Sequence, residues 1–254
     1  RTTSATSLAE IDVDALLLAK RRGGHRISVV LPARNEEVLL PEALASIDAA
    51  RRRASIVHPE VMIDVTVVLD RSVDGSASVV RRAGVRSLSV DHGNVGAARR
   101  SGATAALRTA AALQIGVDDL WLASTDADTV VPPHWLVGHI DLSRTHDAVI
   151  GTVEPRGLTD SRVLMEWRAR HHLVEGHPHV HGANLGLRAS TYLAIGGFRA
   201  MASDEDVDLV RRIRAHTPSW VATDTVRVSS SARRTGRCQG GFAEYLTDLE
   251  DEVG

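Results

Sequence analysis

Cysteine occurs once in the 254 residues, at Cys238, and lysine once, at Lys20. A single thiol excludes an intramolecular disulfide and any cysteine-rich zinc site, and it suits a reducing cytosol. The net charge is −2, so the chain carries no electrostatic footprint for nucleic acid. No apolar stretch approaches the roughly 18 to 20 residues that a membrane span needs. The polar Thr/Ser opening lacks the hydrophobic region of a signal peptide, and a cytoplasmic location is expected. What remains is an arginine-rich chain with 43% apolar residues and a mean hydropathy of −0.07, long enough to bury one large α/β core.

Hydrophobic periodicity alternates along the first half. Arg26 to Leu31 reads as a strand closed by Pro32, with helical spacing after it through Val38, Leu39, Leu40, Ala43, Leu44 and Ile47. A second strand is expected from Val61 to Leu69, then a helix opened by Asp74 as its N-cap. Val85 to Val90 makes a third strand, an Ala-rich helix spans about Val95 to Leu113, and a fourth strand ends at Ser124. Strands alternating with helices of this length predict right-handed βαβ units and a mostly parallel central sheet in one continuous α/β domain. No G-x-G-x-x-G follows the first strand, which argues against a dinucleotide dehydrogenase. Later come a helix from Pro132 to about Asp141, a strand at Ala148–Val153, a polar Arg/His-rich segment from Arg156 to His181, and an acidic opening to a helix at Asp204-Glu205-Asp206. The expected organisation is a peripheral N-terminal helix in 1–25 (Leu8 to Arg22), two halves at 26–130 and 131–228, and a C-terminal tail at 229–254.

Asp126-Ala127-Asp128 stands just past the apolar run Leu120 to Ser124. Two carboxylates flanking a small residue at a strand's carboxyl end make a hard-oxygen site for Mg²⁺ or Mn²⁺, with coordination positions left for phosphate oxygens. That end of the strands is where open α/β sheets bind ligands.

Several motifs in order resemble those of the GT-A-fold glycosyltransferases, in particular the large family 2. Pro32-Ala33-Arg34-Asn35-Glu36 resembles the family's P-x-x-N-E turn, and Val67 to Gly75 its V-V-D-D-G-S-T-D-G strand end. Asn94 to Gly102 is similar to the G-x-x-A-A-R-N-x-G helix, and Asp126-Ala127-Asp128 stands where the D-x-D belongs. Gly182-Ala183-Asn184, Gly196-Gly197-Phe198 and Glu205-Asp206-Val207-Asp208-Leu209 follow in the family's order, so the resemblance covers roughly residues 26 to 215.

The resemblance implies a GT-A fold with a nucleotide-sugar half at 26–130 and an acceptor half at 131–228. It implies transfer of a sugar from a nucleotide-diphosphate donor to an acceptor hydroxyl, dependent on Mn²⁺ or Mg²⁺ and inverting by single displacement. Pro32, Ala33, Asn35 and Glu36 fall on the donor side, Asp70 on the base, Arg99 on base or diphosphate, Asp126 on ribose and metal, and Asp128 on the metal. Asn184 would orient a hydroxyl or the donor sugar, while His181, Gly182 and Ala183 would face the acceptor. Asp206, with Glu205 beside it, matches the base that takes the acceptor's proton. Acidic residues at a helix start also favour the helix dipole by about 0.3 to 1 kcal/mol, but Asp204, Glu205, Asp206 and Asp208 are more charge than capping needs.

Departures from the pattern qualify this. Leu69 replaces the family's first Asp and Arg71 its Gly, so the donor base is not transferred. His171, His172, His177, His179 and His181 read as solvated or acceptor-facing histidines. The stretch Ser229 to Arg237 reads either as a lid over the diphosphate or as a plain basic tail. Three competing readings exist. A retaining enzyme of the glucosyl-3-phosphoglycerate synthase kind is expected to carry a metal-binding His after the acidic helix, and no His follows His216. A haloacid-dehalogenase-type phosphatase shares the D-x-D-x-[TV] pattern but requires a downstream Lys, and Lys20 lies upstream. A non-catalytic nucleotide-sugar-binding module would not need Asp126, Asp128 and Asp206 intact.

Overall fold

A computed structural model describes residues 25–201, 203–233 and 242–253. The N-terminal helix expected over Leu8 to Arg22, and the tail segment 234–241, lie outside the described residues. Within them, β1 (Arg26–Ala33), α1 (Leu40–Val57), β2 (Met62–Asp70), α2 (Ser76–Arg82), β3 (Arg86–Val90), α3 (Val95–Ala112) and β4 (Leu120–Ser124) follow in turn. After these come β5 (Thr129–Val130), α4 (Trp135–Ser143), β6 (Ala148–Arg156), α5 (Ser161–Arg170), a 3₁₀ turn at Gly182–Asn184 and β7 (Leu185–Arg188). The remaining elements are α6 (Ala189–Ala194), α7 (Glu205–His216), β8 (Trp220–Ser231) and α8 (Phe242–Val253).

One sheet runs in the order β3-β2-β1-β4-β7-β6-β8-β5. β1 pairs in parallel with β2 and β4, β2 with β3, and β6 with β8; β7 is antiparallel to both β4 and β6, and the short β5 is antiparallel to β8. The sheet separates two cores because successive strand side chains point to opposite faces. Ile27, Val29 and Leu31 of β1, with Trp121 and Ala123 of β4, meet Leu40, Leu44 and Ile47 of α1 and Trp135, Leu136 and Ile140 of α4. Leu120 and Leu122 of β4 face the other way, toward Ala103, Ala106, Leu107 and Ala110 of α3 and Leu209, Val210 and Ile213 of α7. Helices thus cover both faces, which a largely parallel sheet requires.

Several expectations move. Pro32 and Ala33 belong to β1, paired to Val68 and Leu69 of β2, so the strand outlasts its proline. Val38 precedes α1 and is exposed. The N-cap of α2 is Gly75, and Asp74 serves from one residue further out, its Oδ1 accepting from the Ser76 amide at 3.0 Å. The polar Arg/His-rich segment from Arg156 to His181 contains α5, and Trp220–Ser231 forms β8. The 228/229 boundary therefore falls inside a strand whose Val226 and Val228 are buried in the core.

Candidate active site

The carboxyl ends of β1, β2 and β4 open into a cleft of about 690 Å³. That is the size range of small-molecule sites. Pro32, Ala33 and Glu36 line it from β1 and its loop, Asp70 from β2, Arg99 from α3, and Asp126 and Asp128 from the loop after β4. The other wall holds His181, Gly182 and Ala183 together with Glu205 and Asp206 at the start of α7. Of the donor, metal, base and acceptor candidates named from the sequence, Asn35 and Asn184 do not line the cleft.

Arg99 is the hub. It is 3% exposed, and its Nη2 donates to Asp126 Oδ1 at 2.7 Å, its Nε to Glu205 Oε1 at 3.3 Å and its Nη1 to the Gly182 carbonyl and Ser124 Oγ, both at 3.3 Å. One guanidinium fork therefore ties the D-x-D loop to the acidic helix and to the Gly182 turn. Arg99 lines the cleft as well as bracing it. A Cβ at Gly182 would lie 2.6 Å from Arg99 Nη2, so the turn needs glycine to pass the arginine. α3 is held in place by Asn94, whose Oδ1 accepts from Ala97 N at 2.9 Å as its N-cap.

Asp70 is buried, and its carboxylate accepts from three backbone amides: His92 (2.7 Å), Gly93 (2.9 Å) and Asn94 (2.9 Å). Of roughly four acceptor positions on a carboxylate, three anchor the β3–α3 loop. Asn35 has a left-handed backbone (φ 54°) and fastens the β1 loop to the β2 loop, its amide donating to Ser72 Oγ at 3.2 Å and its Oδ1 accepting from Val73 N at 2.8 Å. Arg71 turns to Asp91 and does not line the cleft. Asn184 is fully buried: its Nδ2 donates to the carbonyls of Thr152 and Val226, both at 2.8 Å, and its Oδ1 accepts from Trp135 Nε1 at 3.0 Å. It clasps α4, β6 and β8 together from inside the core.

The acidic start of α7 divides its work. Asp208 takes Arg199, Arg211 and Arg212, a structural cluster. Glu205 is buried against Arg99, and burial, ahead of the opposing Arg99 charge, raises its pKa. Asp206 is half-buried on the cleft, with Oδ2 accepting from the Gly182 amide at 2.6 Å and Oδ1 from Val207 N at 2.8 Å.

Asp126 is pushed up to about 6, by burial first, with the charges of Asp128 and Asp206 adding and Arg99 opposing. Burial likewise raises Asp128. Seven carboxylates and three guanidiniums line the cleft among the described residues. Such an excess of acid suits a hard divalent cation, and Asp126 and Asp128 would hold it. No set of three or more His, Cys, Asp or Glu is placed around an ion among the described residues. An ion here would take its remaining ligands from water and phosphate oxygens, as Mg²⁺ commonly does.

The histidines pack as rings. Trp167 stacks on His171 (4.7 Å between centroids), His171 on His179 (4.8 Å), and His179 on His181 (6.4 Å), with Phe242 edge-on to His181. Burial holds His181 down to about 4. His171, His179 and His181 are half-buried in this stack and His177 is buried, while His172 is exposed; His171 and His181 line the cleft.

Ser230 and Arg233, from the stretch read as lid or basic tail, also line the cleft, as do Phe242 and Tyr245, which sequence reading missed. The available signals were the Val226–Val228 alternation for β8 and the spacing of Ala243, Leu246 and Leu249 on α8.

Residues 28–202 match the profile of glycosyl transferase family 2. The chain belongs to that family. The phosphatase reading is thereby set aside. No curated protein matches the chain. Among solved structures, it is similar to S. aureus TarS 1-349 with UDP-GlcNAc (15% identity, TM-score 0.61, covering 90% of this chain and 65% of that one). It is also similar to the Pyrobaculum calidifontis mannosyltransferase with GDP-Man and Mn²⁺ (21%, 0.60, 86% and 60%). A third is Mycobacterium tuberculosis glucosyl-3-phosphoglycerate synthase with phosphoglyceric acid (17%, 0.56, 94% and 80%). These likenesses establish the GT-A fold. The chain spans less than two-thirds of the TarS and mannosyltransferase chains. No helix among the described residues is long and apolar enough to cross a membrane.

Proposed function

We propose that this family 2 protein transfers a sugar from a nucleotide-diphosphate sugar to an acceptor hydroxyl, with inversion. The observation that carries this is the meeting of Asp126 and Asp128 with Asp206 across one cleft, held by Arg99 and the Gly182 turn. The donor belongs on the side formed by residues 26–130, beside Pro32, Ala33 and the one remaining acceptor position of Asp70. The acceptor belongs on the side formed by residues 131–228, between His181, Gly182 and Asp206.

In the reaction the acceptor oxygen bonds to the anomeric carbon as the bond to the diphosphate breaks, and the proton passes to the Asp206 carboxylate. The Gly182 amide orients that carboxylate. Glu205, buried against Arg99, is the less accessible of the acidic pair and has a positioning role. Mn²⁺ or Mg²⁺ held by Asp126 and Asp128 would neutralise charge on the departing diphosphate.

UDP, GDP, dTDP and CDP titrated calorimetrically with and without Mn²⁺ identify the donor class. Asp128→Ala is expected to abolish metal-dependent nucleotide binding. Asp206→Asn is expected to leave binding intact and lower kcat at least 100-fold, within the range of a lost general base. Equal loss of binding in both variants overturns the division of roles. The anomeric configuration of the product, read by NMR, distinguishes inversion from the retaining course.

A further inference from the structure

Arg233 follows the last residues of β8 and has no part in the chemistry above. Its Nη1 lies 2.6 Å from Glu36 Oε2 and its Nη2 2.7 Å from Glu36 Oε1, a two-pronged pair. The same Nη2 lies 3.0 Å from Asp128 Oδ2. Backbone bonds fix its approach: Ser231 N donates to the Asp128 carbonyl at 3.1 Å and Ala232 N to the Arg156 carbonyl at 2.9 Å. The two grips are unequal. Glu36 holds the guanidinium through two parallel bonds, the stronger arrangement, while Asp128 shares one nitrogen already committed. Asp128 also accepts from Ser230 Oγ at 3.3 Å through its other oxygen.

The guanidinium thus rests on a carboxylate that the proposed divalent ion needs. Two cations competing for one carboxylate repel strongly at this range. We propose that Arg233 is a resident counter-cation of the metal site, anchored on Glu36 and displaceable from Asp128. Without donor it neutralises Asp128. When a nucleoside diphosphate enters with a divalent ion, the ion takes Asp128, and the guanidinium, still tethered to Glu36, turns its free edge to the diphosphate. This rests on the donor-site reading of the cleft. Its consequence is cooperative binding: bare metal binds weakly because it must evict Arg233, and the diphosphate lowers that cost by giving the guanidinium a new anion. By linkage, metal strengthens nucleotide binding by the same factor.

The test measures Mn²⁺ affinity by electron paramagnetic resonance, with and without UDP or GDP, for wild type, Arg233→Gln and Arg233→Lys. In Arg233→Gln, bare Mn²⁺ is expected to bind about tenfold tighter, and the Mn²⁺–nucleotide coupling to shrink by about tenfold, within the usual range of such couplings. Bare Mn²⁺ affinity rises while the coupling falls, a combination that a purely structural arginine does not produce. Arg233→Lys keeps the charge and is expected to hold bare Mn²⁺ affinity near the wild-type value, so a shared folding defect separates from a charge effect. Unchanged or weaker Mn²⁺ binding in Arg233→Gln overturns the proposal. Failure of wild type to bind UDP or GDP with Mn²⁺ counts against the donor reading instead, while the bare-Mn²⁺ comparison still decides the role of Arg233.

Discussion

At the scale of single residues, position in a motif and function in the fold separate. Asn184 sits in a Gly-Ala-Asn turn that suggests ligand contact, yet its fully buried side chain hydrogen-bonds Trp135, Thr152 and Val226. Removing it leaves three buried partners short at once, and an unsatisfied buried polar group costs about 1–3 kcal/mol. Asn184→Ala is therefore expected to destabilise the protein by about 2–4 kcal/mol in chemical denaturation. At a temperature where the variant remains folded, KM should stay within about threefold of wild type. A large KM change in a fully folded variant would return Asn184 to the ligand. Asp70 shows the same separation in milder form, since most of its capacity is spent on the β3–α3 loop and it still borders the cleft. Such differences are invisible in sequence because a motif records residue type and order, and the partner of a carboxamide is chosen by residues dozens of positions away.

At the scale of elements, α3 matters most, since it delivers Arg99 to the centre of the site. Its closeness to the sheet depends on Gly102: a Cβ there would fall within the Val30 side chain and press on Val68. Gly102→Ala adds helix propensity of about 1 kcal/mol, but overpacking a core typically costs about 1–3 kcal/mol. The packing cost is expected to prevail, giving a net loss near 1 kcal/mol in denaturant titrations. A lower kcat/KM should accompany it as α3 lifts and Arg99 loses register with Asp126 and Glu205. A stabilised variant with full activity would show that the sheet gives way more easily than the contacts imply. The strands and helices of the first half were legible because their apolar spacing is regular. α5 and β8 were not, because α5 is polar on most of its surface and buries only Val163 and Trp167, and β8 is rich in Ser and Thr.

For the whole molecule, buried histidines govern the response to acid. His139 is fully buried between Trp121 and Trp135, and burial holds it down to about 4 from its usual 6.5; His181 is held down to about 4 likewise. A base depressed on folding stays neutral in the native state while the unfolded chain takes up a proton. Its contribution is complete above about 6.5 and is lost as pH falls toward 4. For His139 the loss is on the order of 3 kcal/mol. Asp126 opposes this: its raised pKa of about 6 makes its contribution greater below 6 than at neutral pH. About a third of the Asp126 side chain is exposed, so the histidines are expected to prevail. Thermal melts should fall from pH 7 to pH 4.5, and His139→Gln should flatten that slope. An unchanged slope in the variant would remove His139 from this role.

The sequence by itself determined the class of fold, the family and the order in which the acidic groups arrive, because these follow from apolar periodicity and from short motifs whose spacing survives without a partner. Only the tertiary structure decided which of those groups face the cleft. Asp206 and Asp128 line it, Asp208 is absorbed by three arginines, and Asn184 is absorbed by the core. It also brought Arg233 onto Glu36, 197 residues earlier in the chain. Charge pairing of that kind depends on where β8 closes against β6 and β5, and that is set by packing across the whole sheet.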